Sequence, residues 1–140
     1  MQYLLVILLT HFVTSAASAQ CEYAAEITSN VNNMEVNGKT TRLNLNGQIQ
    51  IGKDSITIQQ EILGQVIRYR YKIVQTECSA WNTASHTGML VYMVQQVGSD
   101  KPYEGKIILE KAENNRVITL LDSKEGKYQV NYEKAQIKEL

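Results

Sequence analysis

Apolar and polar residues alternate with a period of two along much of the chain, the pattern of strands half-buried in a sheet. The clearest run is VIRYRYKIV, residues 66 to 74. Ile67, Tyr69, Tyr71 and Ile73 share one face there, and Arg68, Arg70 and Lys72 share the other. Upstream, TTRLNLNGQIQIGKDSITIQ offers two turns that parity can separate. A two-residue hairpin at Asn46-Gly47 would set Leu43 and Leu45 on the face opposite Ile49 and Ile51. Read as one strand, positions 43, 45, 49 and 51 fall together, with Gly47 as a bend or bulge. The continuous strand is preferred on that ground, although Asn-Gly is a strong hairpin signal. The turn then falls at Gly52-Lys53-Asp54-Ser55 and pairs Ile51 with Ile56 and Ile49 with Ile58.

Further strands are predicted over 89–97, 106–111, 116–122 and 127–134. A tight turn at Asn114-Asn115 would align Leu109 with Leu120 and Lys111 with Ile118. Within residues 22 to 36, EYAAEI reads as a helical turn or an edge strand, and the Asn-rich stretch after it as loop. The terminal AQIKEL is too short to assign. The expectation is an all-β fold, a mainly antiparallel meander of about seven to eight strands. It would form a closed or nearly closed barrel, with a two-sheet β-sandwich as the alternative.

The first residues do not belong to that pattern. Residues 3 to 9 are an apolar run, and Ala17-Ser18-Ala19 supplies an A-x-A site, so residues 1–19 read as a secretory signal peptide cut after Ala19. A spanning helix needs about 20 apolar residues, roughly twice what is present. This predicts a single domain over 20–140, secreted or periplasmic, with no membrane anchor in the mature form. Gln20, large and polar, also argues against lipidation of the next residue, Cys21. The 14 basic and 14 acidic residues cancel, so no basic footprint points to nucleic acid or to an anionic membrane, which leaves only a locally basic strand face open.

Two cysteines in an exported domain favour a Cys21–Cys78 disulfide over free or intermolecular thiols. Zinc needs about four ligands, and two Cys with one His fall short. No metal or cofactor is therefore expected. Cys78 and His86 form a nucleophile pair on paper, but catalysis needs a thiolate that a disulfide removes. Ser79, Ser85 and His86 lack a G-x-S-x-G context, so an enzyme is not expected.

Three features remain as candidate sites. Tyr69 and Tyr71, with Ile67 and Ile73, would line an apolar pocket with hydroxyl handles for a small apolar or amphipathic ligand; as plain core they would simply replace phenylalanine. Arg68, Arg70 and Lys72 could meet a carboxylate, a phosphate or an acidic partner. Their alternative is a solvated face balanced by Glu61 or Glu110. The loop 78–88 holds Trp81 and His86, the former either an exposed anchor for a protein partner or a lid over the core.

The signal peptide, single disulfide, IGKDSITI hairpin and IRYRYKI strand together resemble small exported lipocalin-like (calycin-type) β-barrel proteins across residues 40–134. The chain lacks that family's G-x-W, its sole Trp being Trp81. The resemblance implies a non-enzymatic barrel around a small ligand. The rival expectation is a protein-interaction module or inhibitor of a secreted enzyme, acting through the 78–88 loop or the basic strand face.

Overall fold

The computed structural model describes residues 21–30, 32–43, 46–98, 104–124 and 126–140; the expected leader and its cut after Ala19 lie outside them. The described residues form eleven strands: β1 (Ala25–Ser29), β2 (Asn32–Val36), β3 (Lys39–Leu43), β4 (Asn46–Ile51), β5 (Ser55–Ile62), β6 (Gln65–Asn82), β7 (Thr87–Gln96), β8 (Glu104–Lys111), β9 (Val117–Ser123), β10 (Gly126–Tyr132) and β11 (Gln136–Glu139). Among the described residues there is no helix. All eleven join one antiparallel sheet in the order β11-β1-β4-β5-β6-β7-β8-β9-β10-β2-β3. The expected meander is the run from β4 to β10. Four further strands flank it, which raises the count beyond the seven or eight expected.

Alternation decides which residues are inside. Ile27, Ile49 and Ile58 lie side by side on β1, β4 and β5, and Ala25, Ile51, Ile56 and Tyr71 form the next row. Rows from β7 to β10 follow the same rule, with Leu90 beside Leu109 and Val117 beside Tyr132. These inward residues make one core. With no phenylalanine among the described residues, buried Tyr23, Tyr71, Tyr92, Tyr132 and Trp81 carry its aromatic packing.

The row of strands is rolled rather than flat. β1 stands second in it and β2 tenth, yet only residues 30 and 31 separate them. Eight strand spacings in a flat sheet would span about 38 Å, whereas three peptide units reach about 11 Å. Links of two residues between β3 and β4, and three between β10 and β11, also join opposite flanks. Side chains stitch this seam: Ser29 Oγ donates to the Glu133 carbonyl at 3.4 Å, and Asn33 Nδ2 to Glu133 Oε1 at 3.5 Å. The ladder itself stays open, since no rungs join β11 to β3 among the described residues.

Several expectations need correction. The pairing of Ile49 with Ile58 and Ile51 with Ile56 is as parity required. The continuous strand through Gly47 is not formed, because β3 pairs with β2 at the far flank while β4 pairs with β1 and β5. EYAAEI leads into β1, which is paired on both sides rather than an edge. The Asn-rich stretch is β2, turned into β3 by Asn37-Gly38, whose φ values of 49° and 83° suit a type I′ hairpin. AQIKEL holds β11, which pairs with β1. The register at Asn114-Asn115 is one residue off: Leu109 faces Thr119 and Lys111 faces Val117. Asn115 takes a left-handed φ of 59° and Ala112 N donates to the Arg116 carbonyl, so the turn holds three residues rather than two. That slip moves Val117 and Leu121 inward and turns Ile118 and Leu120 outward.

Candidate functional site: a cleft between the tyrosine strands

Inward residues of seven strands leave a cleft of about 450 Å3, within the usual size range of small-molecule sites, about 300–1,000 Å3. Ile58, Tyr71, Ile107, Leu121 and Val130 form its apolar wall. Tyr69 and Tyr128, 40% and 39% exposed, also line it and reach solvent at its rim. Gln60, Gln96, Thr119, Ser123 and Tyr132 supply the polar part of the lining, with Gln60 and Thr119 beside the Tyr132 hydroxyl. The Tyr132 hydroxyl is pushed up to about 12 by burial, an effect that the adjoining Thr119 and Gln60 side chains partly offset. It is therefore a neutral hydrogen-bonding group at any ordinary pH.

The sequence-predicted ligand residues divide accordingly. Tyr69 and Tyr71 line the cleft together. Ile67 shares their face, half-buried, but lies outside the lining. Ile73 borders a separate depression of about 500 Å3 beside Cys21, Tyr23 and Tyr92. Sequence reasoning missed Gln60, Thr119, Tyr128, Tyr132 and Met34. Only the curl of the sheet brings β2, β9 and β10 opposite β5 and β6, and no local pattern announces that.

The expected disulfide is present between Cys21 and Cys78, with Cα atoms 5.9 Å apart. The 78–88 segment is not a loop: β6 runs on to Asn82, and only Thr83–His86 turn. Two register shifts in the β6–β7 ladder, at Ile73/Gln75 and Glu77/Ala80, each reverse parity, so Cys78 and then Trp81 face the core. Trp81 is 9% exposed, 4.9 Å from the Tyr23 ring and stacked at 12° on His86. It is a lid over the core, not a protruding anchor. His86 Nδ1 meets Glu139 Oε1 at 2.7 Å and so clasps β11 to the turn.

Arg68, Arg70 and Lys72 point outward and are exposed. Arg68 makes two hydrogen bonds to Gln59 Oε1, at 3.2 and 2.9 Å. Neither of the expected balancing carboxylates pairs with them. Glu61 accepts from Asn46 Nδ2 at 3.3 Å, and Glu110 lies on β8 opposite Met89 and Ile118. Among the described residues the ion pairs are His86–Glu139 and Lys127–Asp122, so none engages the three cations. No cluster of three or more His, Cys, Asp or Glu side chains among the described residues could hold a metal.

Buried phenols make stability sensitive to alkali. Burial, and to a lesser degree the Glu139 carboxylate, pushes Tyr23 up to about 12; burial pushes Tyr92 higher still. An unfolded tyrosine ionises near 10. The folded state thus holds protons that the unfolded state releases, and its advantage is complete below pH 10 and lost as pH rises toward 12. Urea midpoints should be level from pH 7 to 9 and fall steeply above 10, with tyrosinate absorbance lagging at Tyr23, Tyr92 and Tyr132 until unfolding. A level midpoint to pH 11.5 would contradict this.

No protein-family model, curated protein or solved structure matches the chain.

Proposed function

We propose that this is an exported, non-enzymatic β-barrel protein that binds a small apolar or amphipathic ligand in the Tyr69–Tyr71 cleft. The observation that carries the reading is the cleft itself: an apolar wall, a polar group of Gln60, Thr119 and Tyr132, and two tyrosines at the rim. An apolar body would lie along Ile58, Ile107 and Leu121, with a polar head toward Tyr132. The near-barrel form is supported by the short links that join opposite flanks of the sheet. Export is supported by the leader sequence and by the disulfide, which persists in oxidising compartments. Both cysteines are spent in that bridge, which leaves no thiol nucleophile for catalysis.

Native mass spectrometry of protein purified from its own host, with a fluorescent fatty-acid titration of the stripped protein, tests the reading. A bound small molecule and saturable uptake are expected. Tyr69→Ala removes a half-exposed ring from the rim, so it should weaken uptake by about tenfold while changing stability little. Protein that carries nothing and takes up no amphiphile overturns the proposal. A co-purifying protein held in place of a ligand would favour the interaction-module reading.

A further inference from the structure

The turn between β5 and β6 is built from the wrong residue. Leu63 and Gly64 have φ values of 51° and 76°, close to those of Asn37 and Gly38 in the β2–β3 hairpin, 49° and 83°. Both turns are type I′, which asks for positive φ at both positions and favours Asn-Gly. The chain uses Asn-Gly in one place and puts leucine in the other, where a branched side chain is strained. Packing does not repay that strain, since Leu63 is 98% exposed.

The surroundings of this tip are equally one-sided. Over Gln65–Tyr69, β6 pairs with β5 alone among the described residues; its ladder with β7 begins at Tyr71. The hairpin therefore extends past the last described β6–β7 pairing, while β4 flanks β5 as far as Glu61. On its outer face Val66, 57% exposed, is followed by Arg68 and Arg70, which no carboxylate engages among the described residues. Glu61 is the opposing charge on the hairpin's outer face, and with Arg68, Arg70 and Lys72 it leaves that face with two net positive charges.

We infer that the β5–β6 hairpin docks this protein onto anionic lipid surfaces, with Leu63 entering the boundary between headgroups and acyl chains and Arg68 and Arg70 meeting lipid phosphates. A strand rises about 3.3 Å per residue, so, counted from Gly64, the cations lie about 13 and 20 Å behind the tip. A hairpin lying obliquely with its outer face down brings Leu63, Val66 and both arginines to the interface together. Gln48, Gln50 and Gln59 on that face then present amides to headgroups. The exposed apolar part of this surface, Leu63 and Val66, is far smaller than the about 800 Å2 that a stable protein interface buries per partner, which favours a lipid layer over a protein surface. A lipid layer needs no preformed pocket for it. The inference stands whether or not the cleft takes a ligand.

The test is sedimentation of the disulfide-bonded protein, lacking residues 1–19, with phosphatidylcholine vesicles and with vesicles containing phosphatidylglycerol. Retention on the anionic vesicles, weakening with salt, is expected. Leu63→Asn restores the favoured Asn-Gly turn, so its melting midpoint should hold or rise while vesicle affinity falls about tenfold. Paired Arg68→Gln and Arg70→Gln should cost about fivefold each. Equal affinity of Leu63→Asn and wild type overturns the inference. So does wild-type protein that ignores both vesicles, even if it retains an acidic protein through Leu63; the tip would then be a protein-docking site.

Discussion

Replacing Cys21 and Cys78 together by serine is expected to lower the unfolding free energy by about 4 kcal/mol. The two residues are 57 apart in sequence, and the loop-closure entropy restored to an unfolded chain by opening a ring of that size is about 4 kcal/mol. A domain of this length is stable by about 5–15 kcal/mol, so the bridge is a large share of the total. Native packing would change too. Residues 21–24 form no strand of their own, and they hold Tyr23 against Trp81. Without the staple that segment is free to lift, whereas β1 stays paired with β4 and β11. Urea titrations should therefore show a much lower midpoint. Emission from the single Trp should also shift to the red in the folded baseline. A loss under about 1 kcal/mol would mean that β1 pairing already holds the N-terminal segment.

Legibility from sequence followed the range of the interactions. The faces of Tyr69 and Tyr71 against Arg68 and Arg70, and the Ile49–Ile58 pairing across residues 52–55, depend on neighbours and a short turn. Alternation alone is enough for these. The slip at Asn114-Asn115 shows the limit, because one extra turn residue reverses every face and composition does not count turn residues. The bulges of β6 hid in the same way: without them, alternation from Tyr71 leaves Cys78 outside, and its bridge looks like a loop contact. The seam was wholly illegible. It rests on Glu133 meeting Ser29 and Asn33, about a hundred residues earlier. The cleft inherits that blindness, since half its wall comes from strands that reach β5 and β6 only through the curl. One consequence of the fold is an economy of placement: the β5–β6 hairpin carries the cleft residues Ile58 and Tyr69 on its inner face and the arginines on its outer face.

Gly88→Ala is expected to be as damaging as loss of the disulfide, through a steric route. Gly88, the second residue of β7, lies opposite Trp81 and Lys111. Its φ is +113°, where L side chains rarely sit, and a Cβ there would overlap the Ala80 carbonyl oxygen and stand 3.3 Å from the Trp81 Cα. The obstacle is backbone, so no rotamer change can relieve it. Strain at such a φ costs about 1–3 kcal/mol, and overpacking about 1–3 kcal/mol more, for a total near 4 kcal/mol. The damage would not stay local, because this turn also carries the stacked Trp81 and His86, the His86–Glu139 clasp on β11, and the buried Lys111 ammonium donating to the His86 carbonyl at 2.8 Å. Gly38→Ala supplies the control: its φ is +83°, with nothing within 4 Å of an added Cβ among the described residues. That change should cost only the conformational part, about 1–2 kcal/mol. Thermal melts of the two variants side by side separate the terms. Equal losses would show that Ala80 and Trp81 yield to the new methyl, and that the close approach at Gly88 does not constrain the β6–β7 junction.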